Sequence, residues 1–252
     1  MIGGKVYRVA TCDDSMGWVK GHLDDAPDGS LFLVDKLTHA RGRDGRVWKV
    51  YEGQLPLTIL LKPETFGDDI SLSLNQLNMA LTVGFLKPLL NFGIRLKWPN
   101  DFIYSDGKYS DGKKVGGMLL ELVWRGTKPA GLIVGLGLNV NNVFDIADPL
   151  SATATSLVTL AQKPLGINRL LEELLGSASS YYQRWKEGDG SIYTEWLKYQ
   201  HYLGKRISVH YKGGEMVEGV VEDILFNGDL QFRKESGNLE TISFYVVEEI
   251  LK

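Results

Sequence analysis

The chain has 252 residues, 44% of them hydrophobic and 23% charged, with a formal net charge of −3. This is an ordinary globular composition, long enough for one large domain with a small appendage, and its near balance of charge argues against a whole-molecule attraction to nucleic acid. The lone cysteine, Cys12, excludes an internal disulfide. No stretch approaches a membrane span, and residues 1–7 lack the apolar core of a signal peptide. A cytoplasmic protein with no membrane association is therefore expected. His22, His39, His201 and His210 are scattered, so no protein His/Cys cluster suggests a metal site.

Residues 6–10 and 31–36 are short apolar runs with strand character, and 55–61 is a third, which Pro56 places at a strand start or an edge. From about 71 to 90, Leu74, Leu77, Leu81, Phe85 and Leu89 recur at helical spacing. Pro88 should kink or end the last turn, before a stop at Asn91-Phe92-Gly93. Short strands follow at 94–97 and 102–104, then a turn-rich loop with Asp106-Gly107 and Asp111-Gly112. Longer strands at 115–124 and 131–140 are joined by a hairpin-like connection. Residues 168–185 read as an amphipathic helix with Asn168 as N-cap, and 191–199 as a second, shorter one.

After Leu203-Gly204 the texture changes. Short alternating strands at 206–211, 215–224, 230–232 and 239–244 are separated by Gly213-Gly214, Asn227-Gly228 and Ser236-Gly237, the pattern of a small β-barrel built from hairpins. The expected division is residues 1–202 and 203–252.

Four segments carry chemistry. Residues 40–48 hold three arginines and two glycines in six consecutive positions, closed by Trp48. Arg41, Arg43 and Arg46 offer forked, permanently charged donors for carboxylates or phosphates. Gly42 and Gly45 permit close backbone approach, and Trp48 gives a flat stacking face. Lys97-Trp98-Pro99-Asn100-Asp101 fixes two polar side chains at a strand end, although an Asx-type turn with a packed tryptophan also accounts for it. In Lys114-Val115-Gly116-Gly117, glycines inside a strand mark close approach of a ligand or another backbone. Lys113 and Lys114 alternate across the sheet, so at most one of them faces a pocket. Gly135-Leu136-Gly137-Leu138-Asn139-Val140-Asn141 is not a dinucleotide fingerprint, since no helix follows it. Its asparagine suits an adenine edge, and its glycines equally suit a packing contact.

In this order and spacing, RGRDGRVW, KWPND, KVGGMLLE and GLGLNVN followed by a small barrel resemble the biotin protein ligases over nearly the whole chain. The resemblance implies an α/β (α+β) fold: a class II synthetase/biotin ligase-like catalytic domain, with a mixed sheet flanked by helices, and a C-terminal SH3-like β-barrel. It implies activation of biotin with ATP and Mg2+ to biotinyl-5′-adenylate, the metal being bound mainly through ATP. The biotinyl group then passes to a lysine of a biotin carboxyl carrier domain. By match to the motifs, Lys114, Arg43 and Asp101 would be catalytic. Ser15, Arg41, Gly42, Arg43, Lys114 and Gly116 would hold biotin. Arg41, Arg43, Arg46, Trp48, Asn100, Lys114 and Asn139 would hold ATP, with Trp48 stacked on adenine and Asp101 also orienting the incoming amine. Some members add an N-terminal helix-turn-helix domain. Here the pattern starts within the first ten residues, so no DNA binding is expected. A homodimer joined at a sheet edge is left open.

Several positions depart from the resemblance. The usual Ser-Thr-Asn is Ser15-Met16-Gly17, the glutamine that meets the ureido ring is Leu37, and the motif's first glycine is Ala40. The adenylate-forming half thus matches better than the biotin-head half. A same-fold ligase or acyltransferase for lipoate or octanoate is the alternative, and a non-catalytic small-acid sensor is a third. Octanoyl transfer needs a cysteine nucleophile, and Cys12 on the opening strand reads as a buried structural residue.

Overall fold

Which side of each long strand is apolar decides the architecture. A computed structural model describes residues 1–66, 69–106 and 111–251, so the expected Asp106-Gly107 turn falls partly outside the described residues. β1 (Val6–Cys12) is followed by α1 (Ser15–Lys20) and β2 (Ser30–Leu37). A two-stranded ribbon of β3 (Ala40–Arg41) and β4 (Val47–Trp48) leads to β5 (Gln54–Leu61). After α2 (Ile70–Leu86) come β6 (Ile94–Lys97), β7 (Asp101–Tyr104), β8 (Lys113–Arg125) and β9 (Lys128–Asn139). The main sheet has the order β1-β2-β5-β9-β8-β7-β6; β1 and β2 are parallel and the other neighbours antiparallel.

Along β5, Leu55, Leu57, Ile59 and Leu61 point to one face, joined by Leu132, Val134, Leu136 and Leu138 of β9. That face is buried under α2 and α4 (Ile167–Lys186), with α5 (Ser191–Lys198) packed on α2. At the α2–α4 crossing, a Cβ on Gly84 would stand 2.8 Å from the Ala178 Cα, which is why the helix interior tolerates a glycine there. The opposite face carries a smaller apolar cluster, in which Met16 and Val19 of α1 meet Phe32, Leu60 and Ile133. The rest of that face is open and builds the site.

Local expectations and structure differ in instructive places. Pro56 lies in an inner strand, but β2 pairs with β5 only from Leu57 to Leu60, so the missing N–H falls beyond that ladder. α2 stops at Leu86, and a 3-10 turn from Lys87 to Phe92 carries Pro88 to Gly93, which is left-handed with φ 74°. Asn168 does not cap α4: the helix starts at Ile167 behind Gly166. Asn141 holds both backbone groups of Leu165 at 2.9 Å, which fixes the chain just ahead of the helix and moves the start upstream. α1 was not expected; it is six residues long, with no room for a period, and rests on Asp14 accepting from the Met16 N–H at 3.0 Å. The short α3 (Leu157–Ala161) was also unforeseen.

The second sheet comprises β10 (Arg206–Tyr211), β11 (Met216–Ile224), β12 (Leu230–Lys234), β13 (Leu239–Ile242) and β14 (Val247–Leu251). Its order β13-β12-β11-β10-β14, antiparallel throughout, is that of an SH3-like barrel. β14 escapes a reading by alternation, because Glu248-Glu249 puts two charges side by side, leaving Val247 and Ile250 as its buried pair. The apolar core runs on from the main sheet into this one. Trp98 Nε1 donates to the Gly228 carbonyl at 2.8 Å, and Tyr193 donates to the Ile224 carbonyl at 2.7 Å.

Candidate active site

A cavity of about 910 Å³ lies on the open face of the main sheet. Its floor is made by residues whose side chains are small or absent. Gly135 and Gly137 of β9 both face it: Met16 rests on the first, its Sδ 3.0 Å from where a Cβ would be, and the Trp48 ring on the second at 3.2 Å. The glycines of the GLGLN run therefore serve side-chain packing over the sheet.

Lys114 and Asp101 meet on this floor, Nζ to Oδ1 at 2.8 Å, with Nζ 5.4 Å from the centre of the Trp48 ring. Two backbone devices fix the lysine. Its N–H donates to the Thr153 carbonyl at 2.8 Å, and its carbonyl accepts from Thr155 at 2.9 Å. The β7–β8 ladder also shifts register between Phe102 and Ile103, leaving Val115 as the extra residue. That bulge brings Lys114 onto the same face as Gly117, whose Cβ would stand 3.4 Å from Nζ. Gly116, expected at the biotin site, instead faces the core: a Cβ there would collide with the Leu138 side chain. Strict alternation pairs Lys114 with Gly116, and the bulge reverses it. Lys113 donates to the Ser151 carbonyl at 2.7 Å.

Two asparagines are committed inward. Asn100 donates its side-chain amide to the Met118 carbonyl, and its backbone carbonyl accepts from the Met118 N–H at 3.0 Å, clamping the β6–β7 turn to β8. Asn139 is 3% exposed; its Oδ1 accepts from Gln54 at 2.9 Å and its Nδ2 donates to the Thr155 carbonyl at 3.1 Å. With both ends of its amide engaged, Asn139 holds the cavity wall together in this conformation and does not present an edge to a base.

The arginines diverge. Arg41 turns to Glu121 at 2.5 Å and Asp14 at 3.5 Å. Lys20 also reaches Glu121 at 2.5 Å. Burial opposes ionisation of Glu121, but the hydrogen bonds from Lys20 and Arg41 outweigh it and hold the carboxyl below the usual range. Arg43 donates to the carbonyls of Phe244 at 3.3 Å and Val247 at 3.2 Å, and Arg46 to that of Glu248 at 2.6 Å. Burial lowers the pKa of Arg43. Asp44, left-handed at φ 57°, pairs with Lys212 at 3.0 Å. The loop is thereby tied to the second sheet, and β14 becomes a wall of the cavity.

The sequence reading named Ser15 but missed Thr58 and Asp148. At one end, among Met16, Leu37 and Leu119, Ser15 accepts a hydrogen bond from the buried Thr58 at 2.8 Å. Thr58 sits inside an apolar run, and nothing local marks it. On the far side Asp148 accepts from Lys49 at 2.7 Å and Tyr51 at 2.5 Å; these bonds, with the Leu150 N–H, pull its carboxyl down to about 2. Cys12 is half-buried, not fully buried as expected, because β1 is an edge strand, and it is not among the cavity-lining residues. Among the described residues no three His, Cys, Asp or Glu side chains converge as a metal site.

A profile of the biotin/lipoate A/B protein ligase family matches residues 13–139. The chain belongs to that family. The matched region contains the cavity floor and the arginine loop, while β14 lies outside it. A biotin–acetyl-CoA-carboxylase ligase of Paracoccus denitrificans is 29% identical over 83% of this chain and 86% of its own length. One from Mycobacterium tuberculosis is 27% identical over 81% and 73%. The bifunctional ligase/repressor BirA of Bacillus subtilis is 32% identical over 60% of this chain, and the match spans only 45% of that relative. A biotin protein ligase from Aquifex aeolicus, solved in complex with biotin and ATP, superposes with a TM-score of 0.79, covering 98% of each chain at 24% identity. It shares this fold through both sheets.

Proposed function

We propose that the chain is a biotin protein ligase: it activates biotin with ATP and transfers it to a lysine of a biotin carboxyl carrier domain. The observation that carries the reading is the Lys114–Asp101 pair on a glycine floor, 2.8 Å apart, between Trp48 and the arginine loop. Family membership supplies the reaction class. In the first step a biotin carboxylate oxygen attacks the α-phosphorus, and the bond to the leaving pyrophosphate breaks. Two anions must approach, so cations held in place beforehand do most for the barrier. Lys114 can face both. Arg41, Arg43 and Arg46 reach them by exchanging their present partners. Trp48 offers its ring to the adenine. In the second step the carrier amine attacks the biotinyl carbonyl, AMP leaves and the amine loses a proton, with Asp101 placed to orient that amine.

Mg2+ would enter with the nucleotide phosphates, whose charge it offsets, since no described cluster binds it alone. Among the described residues no helix is long and apolar enough to cross a membrane. The free thiol of Cys12 fits a cytoplasmic setting.

A second reading, lipoate or octanoate as the acid, draws on Leu37 and Met16, which line one end of the cavity without offering a strong hydrogen bond. Pyrophosphate exchange into ATP, measured with biotin, lipoate and octanoate, decides between the two. Exchange that depends on biotin is the expected result, and exchange with another acid alone overturns the assignment.

A further inference from the structure

Lys114 is pinned through its backbone to Thr153 and Thr155, so whatever fixes residues 143–155 also fixes the lysine. Burial does not do it. From Val143 to Thr153 no residue is buried, with Val143 71% and Ile146 96% exposed. At the root of this stretch the Asn141 N–H donates to the Gly53 carbonyl at 2.8 Å. Further along, Oδ2 of Asp148 accepts from Lys49 at 2.7 Å and from the Tyr51 hydroxyl at 2.5 Å. Phe144 adds an edge contact to the Tyr51 ring, with 5.2 Å between centroids. The other oxygen, Oδ1, accepts from the Leu150 N–H at 3.0 Å and so caps the turn Pro149–Ala152. The Leu150 carbonyl in turn accepts from the N–H groups of Thr153 at 3.1 Å and Ala154 at 2.7 Å. A chain of hydrogen bonds therefore runs from one carboxylate to the backbone that holds Lys114. On the Oδ2 side, Lys49 follows Trp48 directly and Tyr51 comes two residues later. Only 10% of the Asp148 side chain is exposed, and charge-assisted bonds in such a place hold their geometry well. Asp148 itself is not among the cavity-lining residues.

We infer that Asp148 is a positioning residue for the adenylation step, one carboxylate that sets Trp48 and Lys114 in register with each other. One oxygen acts through Lys49 and Tyr51, the other through the turn at Leu150. The inference deepens the ligase reading and rests on it. The Trp48 ring and the Lys114 amine stand 5.4 Å apart on the floor. A change of about 1 Å in that spacing moves the base away from its reacting phosphate, which costs rate although every contacting group is still present.

Biotin-dependent pyrophosphate exchange gives kcat and the KM values for ATP and biotin. Asp148→Ala is expected to lower kcat about tenfold and to raise KM for ATP about fivefold, with KM for biotin within about twofold. Asp148→Asn still offers an acceptor to Tyr51 and to the Leu150 N–H, and should stay within about threefold of the parent. Lys49→Met and Tyr51→Phe each remove one bond on the Trp48 side and should raise KM for ATP about two- to threefold. In the Asp148→Ala background Tyr51→Phe should add less than about twofold, because its hydroxyl has already lost its partner. A parent-like Asp148→Ala overturns the inference, and so does a fall in kcat with both KM values unchanged, which marks only a smaller active fraction. If Asp148→Ala does not fold, an unchanged KM for ATP in both Lys49→Met and Tyr51→Phe overturns it. A parent with no biotin-dependent exchange overturns instead the functional reading beneath it.

Discussion

Lys114 illustrates how much a single side chain depends on its supports. Thr153 and Thr155 fix its backbone, the bulge at Val115 aims it, and Asp101 keeps its charge at the floor. Lys114→Ala should lower biotin-dependent pyrophosphate exchange by about two to three orders of magnitude. Lys113→Ala removes a tie to the Ser151 carbonyl and should cost less than about threefold. Equal losses in the two variants contradict this assignment of faces. Glu121 gives a different kind of test. Its carboxyl is held below the ordinary range when folded, so its contribution to stability is present above the unfolded value and is lost as pH falls through the folded one. Glu121→Gln should therefore lower Tm at neutral pH, and the gap from the parent should close as the pH is taken below about 4. A gap that stays constant down to acid shows that the carboxylate charge does not matter there.

At the scale of elements, the α2–α4 crossing is the tightest joint between helices. Gly84→Ala places a methyl 2.8 Å from the Ala178 backbone and should destabilise by about 1–3 kcal/mol in denaturant unfolding, although alanine is the better helix former. Asn168→Ala should change stability by less than about 0.5 kcal/mol, since Asn168 is not the cap. Elements with a repeating apolar period were legible: α2 from its leucine spacing, and β5, β8 and β9 from their apolar runs. Those held by particular partners were not. α1 depends on Asp14 and on the groove it fills, β14 hides behind adjacent glutamates, and the start of α4 is set by Asn141, far away in sequence. The site divides in the same way. Arginines, Lys114 and Asp101 announce themselves by type and spacing, and the structure brings Lys114 and Asp101 into contact. Thr58 and Glu121 acquire their places only when strands pair, and Gly116 is misplaced by any reading that ignores a bulge.

For the whole molecule, the two sheets share a core and a cavity wall, so they should melt together. Calorimetry is expected to show one cooperative transition, and two resolved transitions contradict a shared core. The tie between the arginine loop and β14 has a further consequence for binding. The carbonyls of Phe244, Val247 and Glu248 occupy the donors that the proposed phosphate contacts require. Under the proposed function these carbonyls are an internal competitor for the nucleotide, and the affinity that is measured is the intrinsic one reduced by the fraction of molecules whose arginines are released. Loosening the tie away from the cavity should accordingly strengthen binding. Lys212→Ala, which removes the tie from Asp44 to the second sheet and leaves Asp44 with Arg43 at 3.5 Å, is expected to tighten ATP binding about two- to fivefold in calorimetric titration. Weaker binding by that variant identifies the clasp as a support for the nucleotide. On the competitor account, the nucleotide affinity of the proposed ligase is tuned from the outer surface of the second sheet, at positions that never touch a substrate.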